Sequence, residues 1–139
     1  MLKVGVLGAG HLGKIHLRLL NQSDKYELVG FYDPNNDNAL KVAQEFGYKK
    51  FDSVSELINA VDVVDIVTPT LSHHDCAKDA IIAGKHVFIE KPISNTVAEA
   101  EELITLAKEY NVKLSSENVA PTIMSDALLH YKYVDYPGG

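Results

Sequence analysis

Short apolar runs alternate with helical spacing along almost the whole chain. Lys3 to Leu7 reads as a buried strand stopped by glycine, after which Leu12, Ile15, Leu19 and Leu20 recur at helical intervals. Tyr26 to Tyr32 is a second strand. A polar stretch follows, then a helix carrying Leu40, Val42, Ala43 and Phe46, closed by Gly47. A brief third strand is predicted near Lys49 to Phe51, and Ser53 has the character of an N-cap for a short helix through Leu57 and Ile58. Val63 to Val67 forms the fourth strand, Ser72 to Ala83 a helix ended by Gly84, and His86 to Ile89 the fifth strand. Thr96 to Tyr110 is the clearest helix, with Val97, Ala100, Leu103, Ile104 and Ala107 on one face and glutamates near its start. Val112 to Ser115 completes a set of about six strands.

Strands that are apolar almost throughout are buried on both faces, and their alternation with helices implies a parallel sheet with right-handed crossovers. The expected class is therefore α/β: a Rossmann-type, doubly wound sheet with helices on both faces. No repeat, low-complexity tract or internal linker interrupts it. Its expected extent is residues 1–116, with 117–139 an irregular tail.

Composition narrows the partners. The chain has 139 residues, enough for one domain with a proper core and little else. Thirteen basic against nineteen acidic side chains leave a net charge of −6, which argues against nucleic acid or an anionic membrane as partner, since both require a basic footprint. With one cysteine, Cys76, no disulfide forms within the chain, and a reducing cytoplasmic location is expected. The first residues are too glycine-rich for a signal segment, and no run approaches transmembrane length.

The chemistry is expected at the carboxyl ends of the strands, where open parallel sheets bind ligands. The first strand runs into Gly8-Ala9-Gly10-His11-Leu12-Gly13, a GxGxxG that opens a helix. Gly8 permits the tight turn, Gly10 lets a pyrophosphate reach the backbone, and Gly13 allows close packing of helix and strand. The helix start offers unpaired N–H groups and a partial positive charge to phosphate. Asp33 ends the second strand about twenty residues further on, where a carboxylate accepts hydrogen bonds from the adenosine ribose. It would repel a 2′-phosphate, and Pro34-Asn35-Asn36 brings no arginine to offset that, so NAD is the expected cofactor, with NADP possible through Lys41. The fifth strand ends in Glu90-Lys91-Pro92, which places a lysine where it can hydrogen-bond a substrate hydroxyl and steer its proton during hydride transfer.

Gly8 to Gly13, Thr68-Pro69-Thr70 with His73 three residues on, and Ala83-Gly84-Lys85-His86-Val87-Phe88-Ile89-Glu90-Lys91-Pro92 together resemble the Gfo/Idh/MocA family, the glucose–fructose oxidoreductase and inositol dehydrogenase group. The resemblance covers residues 1 to about 115. It implies an NAD(P)-dependent oxidoreductase acting on a sugar, sugar nucleotide or cyclitol. It also implies that Lys91 is the catalytic lysine, with Glu90 and Pro92 fixing its setting. By the same likeness Thr68, Pro69, His73 and Glu90 lie near the nicotinamide ribose, and Gly8, Gly10, His11, Leu12, Gly13 and Asp33 bind the rest of the cofactor.

Members of the family continue into a large substrate domain, often the oligomer interface. Residues 116–139 do not read that way, and Asp126 and His130 match the family's Asp-x-x-x-His spacing only by chance. The expectation is an amino-terminal cofactor half, truncated or frameshifted and inactive or nearly so alone; a homo-oligomer is possible. Two other functions fit the same residues: a stand-alone NAD-binding regulatory or redox-sensing module, and a relic that binds no nucleotide. The six histidines show no ligand spacing beyond the adjacent His73-His74, so no metal is expected. His74 is expected on an exposed helix surface, and Cys76 in the core.

Overall fold

The computed structural model describes residues 1–116. The elements run β1 (Leu2–Leu7), α1 (His11–Gln22), β2 (Tyr26–Tyr32), α2 (Asn36–Phe46), α3 (Val54–Ala60), β3 (Val63–Ile66), a 3-10 turn (Thr70–Ser72), α4 (His73–Ile82), β4 (His86–Ile89), α5 (Val97–Glu109) and β5 (Leu114–Ser116). All strands are parallel, in the order β2-β1-β3-β4-β5. The irregular tail expected over 117–139, with Asp126 and His130, lies outside the described residues.

Five ladder strands stand where about six were expected. The segment near Lys49–Phe51 makes a single parallel bridge between Phe31 and Lys50, on the outer side of β2. Two bonds hold it, Phe31 N–H to the Lys49 carbonyl (2.9 Å) and Phe51 N–H to the Phe31 carbonyl (2.8 Å). There is no chain left to extend it. Gly47 ends α2 in the left-handed region (φ 78°), and the Ser53 side chain already accepts from Glu56 N–H to cap α3. With the bridge counted, the spatial order is that of a Rossmann sheet, and it reverses between β1 and β3.

Each face of the sheet carries its own core. Val4, Val6, Phe31, Val63 and Phe88 pack with Leu17 and Leu20 of α1 and Ala39 and Val42 of α2. Leu7, Val64, Ile66, Val87, Ile89 and Leu114 pack with Leu57 and Ile58 of α3, Ala77 and Ile81 of α4, and Leu103 and Ala107 of α5. Alternate residues of one strand therefore serve opposite layers, which is why the strands read as unbroken apolar runs. The stripe of α1 differs from the expected one. Its buried residues are Gly13, His16, Leu17 and Leu20, while Leu12 is 42% exposed. A histidine stands at a core position.

Candidate functional site

The reversal of strand order opens a crevice at the carboxyl ends of β1 and β3, and the glycine loop sits there. Each glycine has its own reason. Gly8 has φ +103°, and a Cβ on it would lie 2.6 Å from the Val67 carbonyl oxygen. A Cβ on Gly13 would lie 2.1 Å from the carbonyl oxygen of Gly8, so α1 rests directly on the loop. Gly10 is unlike both: a Cβ there would meet nothing within 4 Å. Among the described residues nothing requires glycine at position 10, and the space they leave beside it is open to a ligand.

The start of α1 is equally open. Gly10 is its N-cap, no side chain caps it, and its first turn holds no acidic residue. By contrast α2, α3 and α5 are capped by Asn35, Ser53 and Thr96 and carry Asp37, Glu56 and Glu99 in their first turns. The N–H groups and positive dipole end of α1 are left for an anion, with His11 and Leu12 exposed at the mouth.

Asp33 closes the adjoining side. Its carboxylate accepts from Ala9 N–H (Oδ2, 2.8 Å) and from Asn35 N–H (Oδ1, 2.8 Å), tying the end of β2 to the glycine loop. Oδ2 takes a second, longer contact from Asn38 Nδ2 (3.5 Å), and Oδ1 retains a lone pair for a hydroxyl donor. Asn38 Nδ2 donates to the Ala9 carbonyl at 2.9 Å and braces the loop again, a contact not evident from the spacing.

The loops after β3 and β4 meet at His73, which is buried at the start of α4. Its Nδ1 lies 2.7 Å from the Pro92 carbonyl oxygen and its Nε2 2.8 Å from that of Thr68. The ring thereby fastens Thr68-Pro69 to Lys91-Pro92. Lys91 itself is exposed, and among the described residues nothing pairs with its Nζ. Glu90 is buried and turns inward, to the ring of His16.

That contact belongs to a charged cluster which the scattered histidines of the sequence concealed. His16 Nδ1 lies 2.6 Å from Asp65 Oδ2 and Nε2 lies 2.6 Å from Glu90 Oε1, with His16 1% and Asp65 0% exposed. Burial alone would depress the imidazole. The charge and hydrogen bond of Asp65, joined by those of Glu90, override it and raise His16 to about 8 from an ordinary 6.5. The imidazolium therefore contributes stability that is fully present below about pH 6.5 and is lost as pH rises through about 8. Urea unfolding is expected to show about 2 kcal/mol less stability at pH 9.5 than at pH 6. The same slope in His16→Gln would remove the histidine as its cause.

His74 is half-buried rather than exposed, because its Nε2 bonds the Glu102 carboxylate of α5 and holds α4 to α5; Lys78 Nζ reaches the same carboxylate at 3.4 Å. Burial, with Asp79 and Asp75 nearby, pushes the Cys76 thiol up to about 11, so it is no nucleophile at neutral pH. Among the described residues no group of three ligating side chains is placed to hold a metal, and no helix is long and apolar enough to cross a membrane.

A doubly wound parallel sheet with an open glycine loop at its switch point and an acid at the end of the next strand defines an NAD-binding Rossmann domain of an oxidoreductase. Residues 2–118 match the family model of the Gfo/Idh/MocA oxidoreductases, described as an oxidoreductase family with an NAD-binding Rossmann fold, and the chain belongs to that family. UDP-N-acetylglucosamine 3-dehydrogenase of Acidithiobacillus ferrooxidans is 40% identical over 118 residues, 82% of this chain and 36% of that protein. Its solved structure superposes with a TM-score of 0.78 at 39% identity, covering 83% of this chain and 38% of that one. Glucose-6-phosphate 3-dehydrogenase of Bacillus subtilis is 36% identical over 115 residues, 83% of this chain and 33% of that protein. Biliverdin reductase of Synechocystis, solved with biliverdin and NADP+, gives a TM-score of 0.79 at 32% identity, covering 84% of this chain and 37% of that one. The chain thus spans about a third of the length of the curated relatives it matches.

Proposed function

We propose that this domain is the cofactor half of an NAD-dependent dehydrogenase that oxidises or reduces a hydroxyl-bearing carbon of a sugar, sugar nucleotide or cyclitol. The observation that carries the cofactor site is the open space at Gly10 beside an uncapped helix start, a cradle that the protein's own packing does not require. Gly8, Gly10 and Gly13 with the exposed His11 and Leu12 form the pyrophosphate end, and Asp33 binds the ribose hydroxyls. Thr68, Pro69, His73 and Glu90 shape the nicotinamide end, the last two by holding the strand-end loops in place. When bound, NAD supplies a hydride acceptor or donor at its nicotinamide ring. Lys91 Nζ donates a hydrogen bond to the substrate oxygen and relays its proton. The sugar class rests on the two curated relatives, named for dehydrogenation of a sugar nucleotide and of a sugar phosphate, and their activity favours catalysis over a stand-alone sensor.

The test is a fluorescence titration of the chain with NADH and, separately, NADPH. Saturable binding with NADH preferred is expected. Charge-assisted hydrogen bonds of about 1.5–3 kcal/mol make that preference roughly ten- to a hundredfold. Asp33→Ala should weaken NADH and narrow the gap to NADPH. Unchanged selectivity in that variant would remove Asp33 from the ribose site.

A further inference from the structure

The charged cluster beneath the site is not required by the fold's apolar packing, and of its members the proposed cofactor site uses only Glu90, to hold a strand-end loop. Two carboxylates, Asp65 and Glu90, are buried on opposite sides of one imidazole, each 2.6 Å from a ring nitrogen. A neutral ring carries one N–H and would turn a lone pair toward the other carboxylate; only the imidazolium donates to both. Among the described residues the charged groups acting on the ring are Asp65, from β3, and Glu90, from the end of β4. Among the described residues the other Asp65 oxygen, Oδ1, has no hydrogen-bond partner, and the ring is the one donor to this buried side chain. Burying such a group is expensive, and a Val-Val-Asp-Ile strand would be better served by an apolar residue if packing were the sole demand.

What the cluster joins is informative. His16 lies in α1, about 7 Å along the axis from the helix start that faces the proposed pyrophosphate site. Asp65 lies in β3, three residues before Thr68. Glu90 directly precedes Lys91, whose following residue, Pro92, is held by His73. Lys91 therefore hangs between two neighbours that are each anchored by a histidine.

We propose that His16 is a positioning residue. As a cation between Asp65 and Glu90 it sets the placement of Lys91 and couples it to the phosphate-binding end of α1. Release of its proton frees the Glu90 side chain and loosens the Lys91 segment. A bound dinucleotide, bringing negative charge to the start of the same helix, favours the protonated ring, and by reciprocity the protonated ring favours the dinucleotide. The proposal rests on the cofactor reading above.

The experiment uses the 139-residue chain labelled with 15N. Imidazole correlation spectra give the titration midpoint of His16 directly, and amide spectra follow Glu90, Lys91 and the Gly8–Gly13 loop across the same pH range. The Lys91 and loop amides are expected to move with the midpoint of His16, and this response to vanish from Lys91 in Glu90→Gln. NADH affinity is expected to fall about three- to tenfold as pH passes that midpoint, and the midpoint to rise when NADH is saturating. Saturable NADH binding with a flat pH profile and an unmoved midpoint would overturn the proposal, leaving His16 a structural ion pair. If NADH does not bind at all, the cofactor reading fails. The amides then decide for His16 separately: Lys91 and loop resonances stationary through its titration overturn the positioning role, and concerted movement supports it.

Discussion

Gly10→Val is expected to abolish useful NADH binding in a protein that still folds, whereas Gly13→Ala is expected to lose the fold's stability itself. The contrast follows from what a Cβ meets at each position. At Gly10 it meets nothing among the described residues, and the residue has ordinary extended angles (φ −73°, ψ −162°), so a side chain is accommodated there at a cost within about 0.5 kcal/mol. The same side chain fills the space through which a phosphate approaches the backbone. Losing two charge-assisted hydrogen bonds of about 1.5 kcal/mol each lowers affinity roughly 100-fold. At Gly13 the Cβ would sit 2.1 Å from a backbone oxygen, and the loop cannot swing away as a flexible side chain would. The helix must lift off the loop, at about 3 kcal/mol or more, which for a domain of this size lowers Tm by roughly 10 °C. A thermal melt and an NADH titration of both variants check this. If Gly10→Val binds NADH as tightly as the unaltered protein, the open space at position 10 is not the phosphate site.

On the proposed function, Lys91→Met is expected to leave NADH affinity within about twofold while slowing the proposed sugar dehydrogenation roughly 10²–10⁴-fold, the usual range for removing a proton-transfer group. Methionine keeps the length and apolar stem of the side chain and removes only the ammonium. Lys91 is exposed and ties down no neighbour, so the substitution disturbs no packing or ion pair among the described residues. Steady-state kinetics with NAD and the hydroxyl substrate, alongside direct NADH titration, separate the two effects. A large loss of NADH affinity would show that Lys91 contacts the cofactor's phosphate or ribose.

Much of this was legible from residue order, for local reasons. β2 and β4 span the expected runs, and α5 has Thr96 as its cap, because apolar periodicity and turn residues act over a few positions. The glycine loop was legible because its three glycines and the following helix are contiguous. The brief third strand stands where residue order placed it, reduced to one parallel bridge, because a helix cap closes the segment on either side. The His16 cluster was missed since its partners lie 49 and 74 residues away. Two signals existed nonetheless. His16 shares the buried stripe of α1 with Gly13, Leu17 and Leu20, and Asp65 interrupts an otherwise apolar strand. A histidine and an aspartate that must both be buried are each other's natural partners.

The order of strands also governs how the chain is made. β1 is synthesised before the other described strands, yet it is a central strand, flanked by β2 and by β3, which begins at Val63. At roughly 5–20 residues per second, β1 waits about 3–12 s for its second neighbour to be translated, with more time needed for β3 to clear the ribosomal tunnel. During that interval Val4, Val6 and Leu7, all fully buried in the finished domain, have only the parallel β1-α1-β2 unit to cover them. The nascent chain therefore passes through a stage with one apolar edge unpaired, in which chaperone capture competes with sheet closure.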